Sequence, residues 1–153
     1  MNINSDLELF NLAKRNYNIL QTFTYITAIL IIATVYIYTK HELAVYQNYI
    51  YYSYLIMGFI SLYLGFMFNR KIRDNRQLVE GLLQRNPSSL NKFKSNKAIQ
   101  IWLNVILIVI LVATFLVNGI RLDILNDIFF ILVIFSCWLY SKNYYIMFKS
   151  FLT

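Results

Sequence analysis

Four apolar runs, each about twenty residues long, dominate the pattern of hydrophobic and polar positions along the chain. They cover residues 19–38, 49–68, 99–117 and 124–146. A helix needs about twenty predominantly apolar residues to cross a bilayer, and most buried helices of soluble domains are shorter. The pattern predicts an all-α integral membrane protein, a four-helix bundle made of two transmembrane hairpins within a single membrane domain. Residues 1–18 predict a short amphipathic lead at the membrane interface.

A basic segment, residues 69–97, separates the two pairs of runs, and we name it the connector. Apolar positions at Ile72, Val79 and Leu83 give a partial stripe at helical spacing, which Pro87 interrupts. We therefore predict that the connector is helical rather than a flexible linker. Its basic residues are more than half of the chain's total of 14 and comprise Arg70, Lys71, Arg73, Arg76, Arg85, Lys92, Lys94 and Lys97.

Charge then fixes the expected orientation in the membrane. The chain is 59% hydrophobic and only 14% charged, with a net charge of +7. Lys40 and Arg121 are the basic residues of the other two loops, and the remaining ones lie in the connector or near the chain ends. Because Lys and Arg accumulate on cytoplasmic segments of membrane proteins, we predict cytoplasmic termini and a cytoplasmic connector. Topology explains the positive charge, so we expect no nucleic-acid partner.

Composition suggests where such a protein would be found. The bias toward Ile, Asn, Tyr and Lys is typical of A+T-rich genomes, both bacterial and organellar. We expect the bacterial cytoplasmic membrane, with membrane lipid as one partner of the chain.

Small and polar residues inside the runs predict contacts between helices. Gly58, Ser61 and Gly65 are spaced i, i+3 and i+7, which places them on one helical face. Small side chains let the backbones of membrane helices approach closely. Asn104 lies within the third run, where an amide can hydrogen-bond to another helix. We predict a packing role for all four residues, with substrate binding as the alternative for Asn104.

Residues that carry chemistry are few. The chain has one histidine and one cysteine, so no zinc-type set of Cys and His exists, and no Gly-rich phosphate loop is present. The pair His41–Glu42 is expected to be solvated, with metal binding as the alternative. Asp123 and Asp127 are expected to be helix-start charges, with cation binding or proton relay as the alternative. The sequence predicts no enzymatic activity and no cofactor.

The function that we expect from these features is protein–protein interaction in the membrane. The chain would be an accessory, regulatory or immunity-type factor for another membrane protein, and a homo-oligomeric channel or small-solute transporter is the alternative. We expect the apolar stripe of Ile72, Val79 and Leu83 to contact the partner. The candidate basic contacts, to protein or to anionic lipid, are Arg73, Arg76, Arg85, Lys92 and Lys94.

Overall fold

The computed structural model describes residues 3–39, 45–85, 87–116 and 122–152, and this part of the chain is helical apart from a turn at Asn75. Four of its five helices are long and apolar enough to cross a membrane. The prediction of an all-α chain with four helices of membrane-spanning length is thereby confirmed. The helices are α1 (Ile3–Thr39), α2 (Val45–Asp74), α3 (Arg76–Arg85), α4 (Pro87–Leu116) and α5 (Leu122–Leu152).

The N-terminal lead is part of helix α1 rather than a separate helix. Helix α1 begins at Ile3 and runs without a break into the first apolar run. Leu9 and Ala13 of this part are buried against other helices. Packing within the protein covers Leu9 and Ala13, whereas Leu7 is exposed. The interfacial position of the lead therefore stays a prediction.

Helix α5 occupies the central position. It packs against α1, α2 and α4, and α1 also packs against α2. The main contacts of α4 are with α5 and α3, so α4 is held mostly from one side. Much of the surface of α4 is consequently open, including the side chains of Ile101, Trp102 and Ile108.

The connector packs onto the helices that flank it. Ile72 of α2 and Val79 of α3 are only 7% and 5% exposed. They share one apolar cluster with residues from the start of α1 and from the end of α5, such as Leu9 and Phe148. We call this the connector end of the protein. Since Ile72 and Val79 are buried there, the expectation that they contact a partner is wrong.

Helices α2, α3 and α4 follow one another closely. The backbone N–H of Val79 donates to the carbonyl of Asn75, and the amide Nδ2 of Asn75 donates to the carbonyl of Lys71. These bonds hold the turn between α2 and α3. Pro87 is the first residue of α4, a position where proline is favoured because its missing N–H needs no partner. The described connector residues are thus helical, as the sequence predicts, apart from the turn at Asn75, which it does not predict.

Candidate functional site

The small residues Gly58, Ser61 and Gly65 lie on α2, and both glycines face α5. A β-carbon built on Gly58 would stand 2.3 Å from Cδ1 of Phe130, and one on Gly65 would stand 3.2 Å from Sγ of Cys137. Ser61 is fully buried, and its hydroxyl donates to the carbonyl of its own helix at Met57. The stripe is where α2 approaches α5.

A cleft of about 380 Å³ opens beside this contact, between α2 and α4, with α5 as its floor. Five hydrogen-bonding side chains line it, at the level where the second and third apolar runs meet the connector. They are Asn69 of α2, Gln100 and Asn104 of α4, and Ser136 and Tyr140 of α5. We call this the polar cleft.

Two hydrogen bonds between helices organise the polar cleft. The Ser136 hydroxyl donates to Oδ1 of Asn104 over 2.9 Å, and the Tyr140 hydroxyl donates to Oδ1 of Asn69 over 2.9 Å. In both bonds the amide oxygen accepts, so the two Nδ2 groups retain their donors. Within the described part of the chain, no residue bonds to those Nδ2 groups or to the Gln100 amide. The cleft therefore presents unused N–H donors.

Helical spacing explains why these side chains converge. Gln100 and Asn104 are four residues apart on α4, and Ser136 and Tyr140 are four apart on α5, so each pair shares one helix face. Packing of α4 against α5 brings the two faces together. Since the surrounding surface is apolar, the amides are costly in lipid, and polar groups within a membrane usually mark a functional path or contact.

The polar lining continues toward the connector end. Lys97 and Gln100 of α4 and Tyr140 and Asn143 of α5 line a small adjoining cavity. Asn143 is only 4% exposed, and neither atom of its amide bonds to another described residue. A row of polar groups thus extends from Asn104 to Asn143 along the contact between α4 and α5.

The predicted basic contact residues lie on the connector, outside the polar cleft. Arg73, Arg76 and Lys94 are exposed. The hydrogen bond from Nε of Arg76 to Glu80, 2.7 Å long, raises the pKa of the arginine above its ordinary value. Among the described residues, Arg73 and Lys94 form no ion pair. Arg85 ends α3 and Lys92 lies in α4, but both side chains are outside the described set.

The two carboxylate-containing pairs named from the sequence lie largely outside the described residues. The described residues hold no group of three His, Cys, Asp or Glu that could bind a metal ion. His41 and Glu42 lie outside the described residues, as does the side chain of Asp123. Asp127 is half-buried in the second turn of α5 and lies near enough to Tyr54 of α2 to interact electrostatically. A carboxylate that acts only on the helix dipole can stay exposed to solvent. Asp127 is therefore more buried than that role requires.

Two residues of the polar cleft, Asn104 and Gly65, are contact residues predicted from the sequence. Its other polar lining residues are not among the predicted ones: Asn69, Gln100, Ser136 and Tyr140. A signal for them was present, because Gln100 and Asn104 form a polar pair at helical spacing, and Ser136 and Tyr140 form another. That spacing shows a polar face on each helix but does not show which faces meet.

Comparison with known proteins adds no family. No protein-family model matches the chain, and no curated protein or solved structure is detectably similar to it.

Proposed function

We propose that this chain acts by binding another membrane protein, as an accessory, regulatory or immunity-type factor, and that it performs no chemistry. The observation that carries the proposal is the polar cleft, where Asn69, Gln100 and Asn104 offer amide donors that no described residue accepts. A transmembrane helix of a partner that carries a polar side chain would accept from these donors. Hydrogen bonds between membrane helices contribute about 0.6 kcal/mol each on average.

The shape of the site suits a helix as its occupant. Helices α2 and α4 both pack on α5, and the cleft lies between them. Open apolar side chains of α4, such as Ile101 and Ile108, extend the surface along the membrane. Because lipid covers apolar surface as well as protein does, we assign the specificity to the amides and the contact area to the apolar side chains.

The proposed arrangement is a bundle of two transmembrane hairpins in the bacterial cytoplasmic membrane, with both termini in the cytoplasm. The distribution of charge supports this orientation. The two loops expected on the opposite side of the membrane carry just Lys40 and Arg121, and the other Lys and Arg residues lie in the connector or near the chain ends. The start of α1 and the end of α5 also pack with the connector. Exposed cations such as Arg73 and Lys94 would then meet a cytoplasmic segment of the partner or anionic headgroups.

A small-solute transporter or a homo-oligomeric channel is the second candidate. The row of polar groups from Asn104 to Asn143 favours it, because such a row can pass a polar solute from one group to the next. Several copies would have to assemble to complete a path through the membrane.

A crosslinking experiment separates these candidates. A photoreactive amino acid at position 104 would report what occupies the polar cleft in native membranes. The matched control is position 109, because Val109 is an exposed α4 residue that does not line the cleft. An adduct with a different protein from position 104 and not from 109 is the expected result. An adduct with a second copy of the chain favours the channel, and lipid adducts alone at both positions would contradict protein binding.

A further inference from the structure

A second, larger groove lies on the opposite side of α2 from the polar cleft. It has a volume of about 550 Å³ and runs between α1 and α2 at the connector end. The two sites share no lining residue. Pockets for small ligands commonly measure roughly 300–1,000 Å³, so the groove is large enough for part of a lipid molecule.

The lining of the groove changes from apolar to charged along its length. Tyr63 and Met67 lie within the second apolar run and are exposed. Glu8, Arg15 and Lys71 lie outside the apolar runs, where α1 and α2 reach the connector end. A phospholipid has the same division, with acyl chains beside apolar side chains and a phosphate beside cations.

The charged side chains that line the groove carry one net positive charge. Nζ of Lys71 lies 3.5 Å from Oε1 of Glu8, so these two side chains form an ion pair. Arg15 forms no ion pair with any other described residue. A guanidinium can bind two oxygens of one phosphate in parallel, which makes Arg15 the principal anion contact. A single negative charge is the best electrostatic match.

Asn16 supplies a polar floor to the groove. The residue is only 2% exposed, and its Nδ2 donates to the backbone carbonyl of Leu64 over 3.4 Å. Its Oδ1 is buried and accepts from no described residue. Buried polar atoms are normally hydrogen-bonded, so an occupant of the groove that carries a donor would satisfy this oxygen once the amide turns toward it. Asn11, on the same wall, is exposed and adds a second amide.

We propose that this groove binds the headgroup of a monoanionic glycerophospholipid with free hydroxyls, of the phosphatidylglycerol type. The phosphodiester lies against Arg15 and Lys71, and the headgroup hydroxyls donate to the amides of Asn16 and Asn11. One acyl chain follows Tyr63 and Met67 into the membrane. The inference does not depend on the partner protein, because none of these residues lines the polar cleft.

The test is lipid binding by the delipidated full-length protein in mild detergent, measured by native mass spectrometry. The probes are phosphatidylglycerol, phosphatidylethanolamine and inorganic phosphate. Arg15→Gln is the variant, and it should fold because the residue is exposed and breaks no ion pair of the described chain. Arg70→Gln is the matched control, since Arg70 is also exposed, forms no ion pair with another described residue and lies outside the groove.

The expected result is that the unmodified protein prefers phosphatidylglycerol and that Arg15→Gln weakens its binding about tenfold, which corresponds to one charge-assisted hydrogen bond. Arg70→Gln should leave the binding within about twofold. Equal losses in both variants would show a diffuse surface-charge effect and overturn the proposal. Equal binding of phosphatidylethanolamine, or displacement of the lipid by inorganic phosphate at similar concentration, would also overturn it.

Discussion

Gly58 of α2 lies so close to Phe130 of α5 that a β-carbon on the glycine would stand 2.3 Å from Cδ1 of the ring and 3.1 Å from Cγ. No side chain larger than hydrogen fits there unless the ring or a helix moves. The ring of Phe130 is also in contact with Phe59 at a centroid distance of 5.8 Å, which restricts where it can move. The absence of a side chain at Gly58 therefore allows the close separation of α2 and α5 at this point.

Replacement of Gly58 by alanine should destabilise the protein by about 1–3 kcal/mol, the usual cost of overpacking a tight interior. The measurement is unfolding in mild detergent, followed by circular dichroism. Gly81→Ala is the matched control, because a β-carbon at Gly81 would meet nothing within 4 Å. That change should stabilise α3 by about 0.5–1 kcal/mol, since alanine favours helix over glycine. Equal stability of the two variants would show that α2 and α5 do not approach closely at Gly58.

The hydrogen bond between Ser136 and Asn104 should be measurable as a coupling between α4 and α5. We expect a double-mutant cycle with Ser136→Ala and Asn104→Ala to give an interaction energy of about 0.6 kcal/mol, typical of such bonds in membranes. Tyr140→Phe with Asn104→Ala is the control pair, because the Tyr140 hydroxyl donates to Asn69 instead. Additive effects of Ser136→Ala and Asn104→Ala would mean that the bond is absent in the membrane.

Orientation can be tested with single cysteines. In a Cys137→Ala background, a cysteine at position 86 should be labelled from the cytoplasmic side only. A cysteine at position 48, in the exposed first part of α2, should be labelled from the outside only. The physical reason is the concentration of Lys and Arg in the connector. If a reagent added from one side labels both cysteines, the chain does not cross the membrane a single time between positions 48 and 86.

The exposed basic residues of the connector should act in binding rather than in orientation alone. The triple variant Arg73→Gln, Arg76→Gln, Lys94→Gln should keep its membrane level and orientation, because most of the basic residues on that side remain. Association with the partner or with anionic lipid should weaken by up to about 1 kcal/mol per charge. Partner recovery from native membranes at low and high salt is the measurement.

Salt provides the control for that experiment. Added salt screens exposed charges, so recovery with the unmodified protein should fall toward that of the triple variant. Arg76 should contribute the least of the three, because Glu80 already pairs with it. If the triple variant and the unmodified protein give the same recovery at both salt concentrations, the connector serves as a topology signal only.

The sequence predicts the helices better than it predicts their ends. Hydropathy identifies the four runs because a bilayer requires continuous apolar length. It does not mark the start of α1 at Ile3, since residues before the first run are polar on one face and bury Leu9 and Ala13 on the other. A helix continues wherever hydrogen bonds and packing allow, and hydropathy measures neither.

The candidate site was less predictable than the fold. Asn104 is conspicuous in an apolar run, but its role depends on Ser136, which is distant in sequence and belongs to a different helix. The stripe of Ile72 and Val79 is equally instructive. Its spacing marks an apolar helix face correctly, but whether such a face meets a partner or the same chain depends on tertiary packing, which places it against Leu9 and Phe148.

The central position of α5 has a consequence for biosynthesis. Helices α1 and α2 can pair as soon as both have been made, but α4 leaves the ribosome before α5, the helix that holds it within the membrane. During that interval α4 presents its polar face, including Gln100 and Asn104, to lipid. Insertion of α5 is therefore the step that commits the chain to its final structure, and membrane chaperones or proteases would have their best opportunity to act just before it.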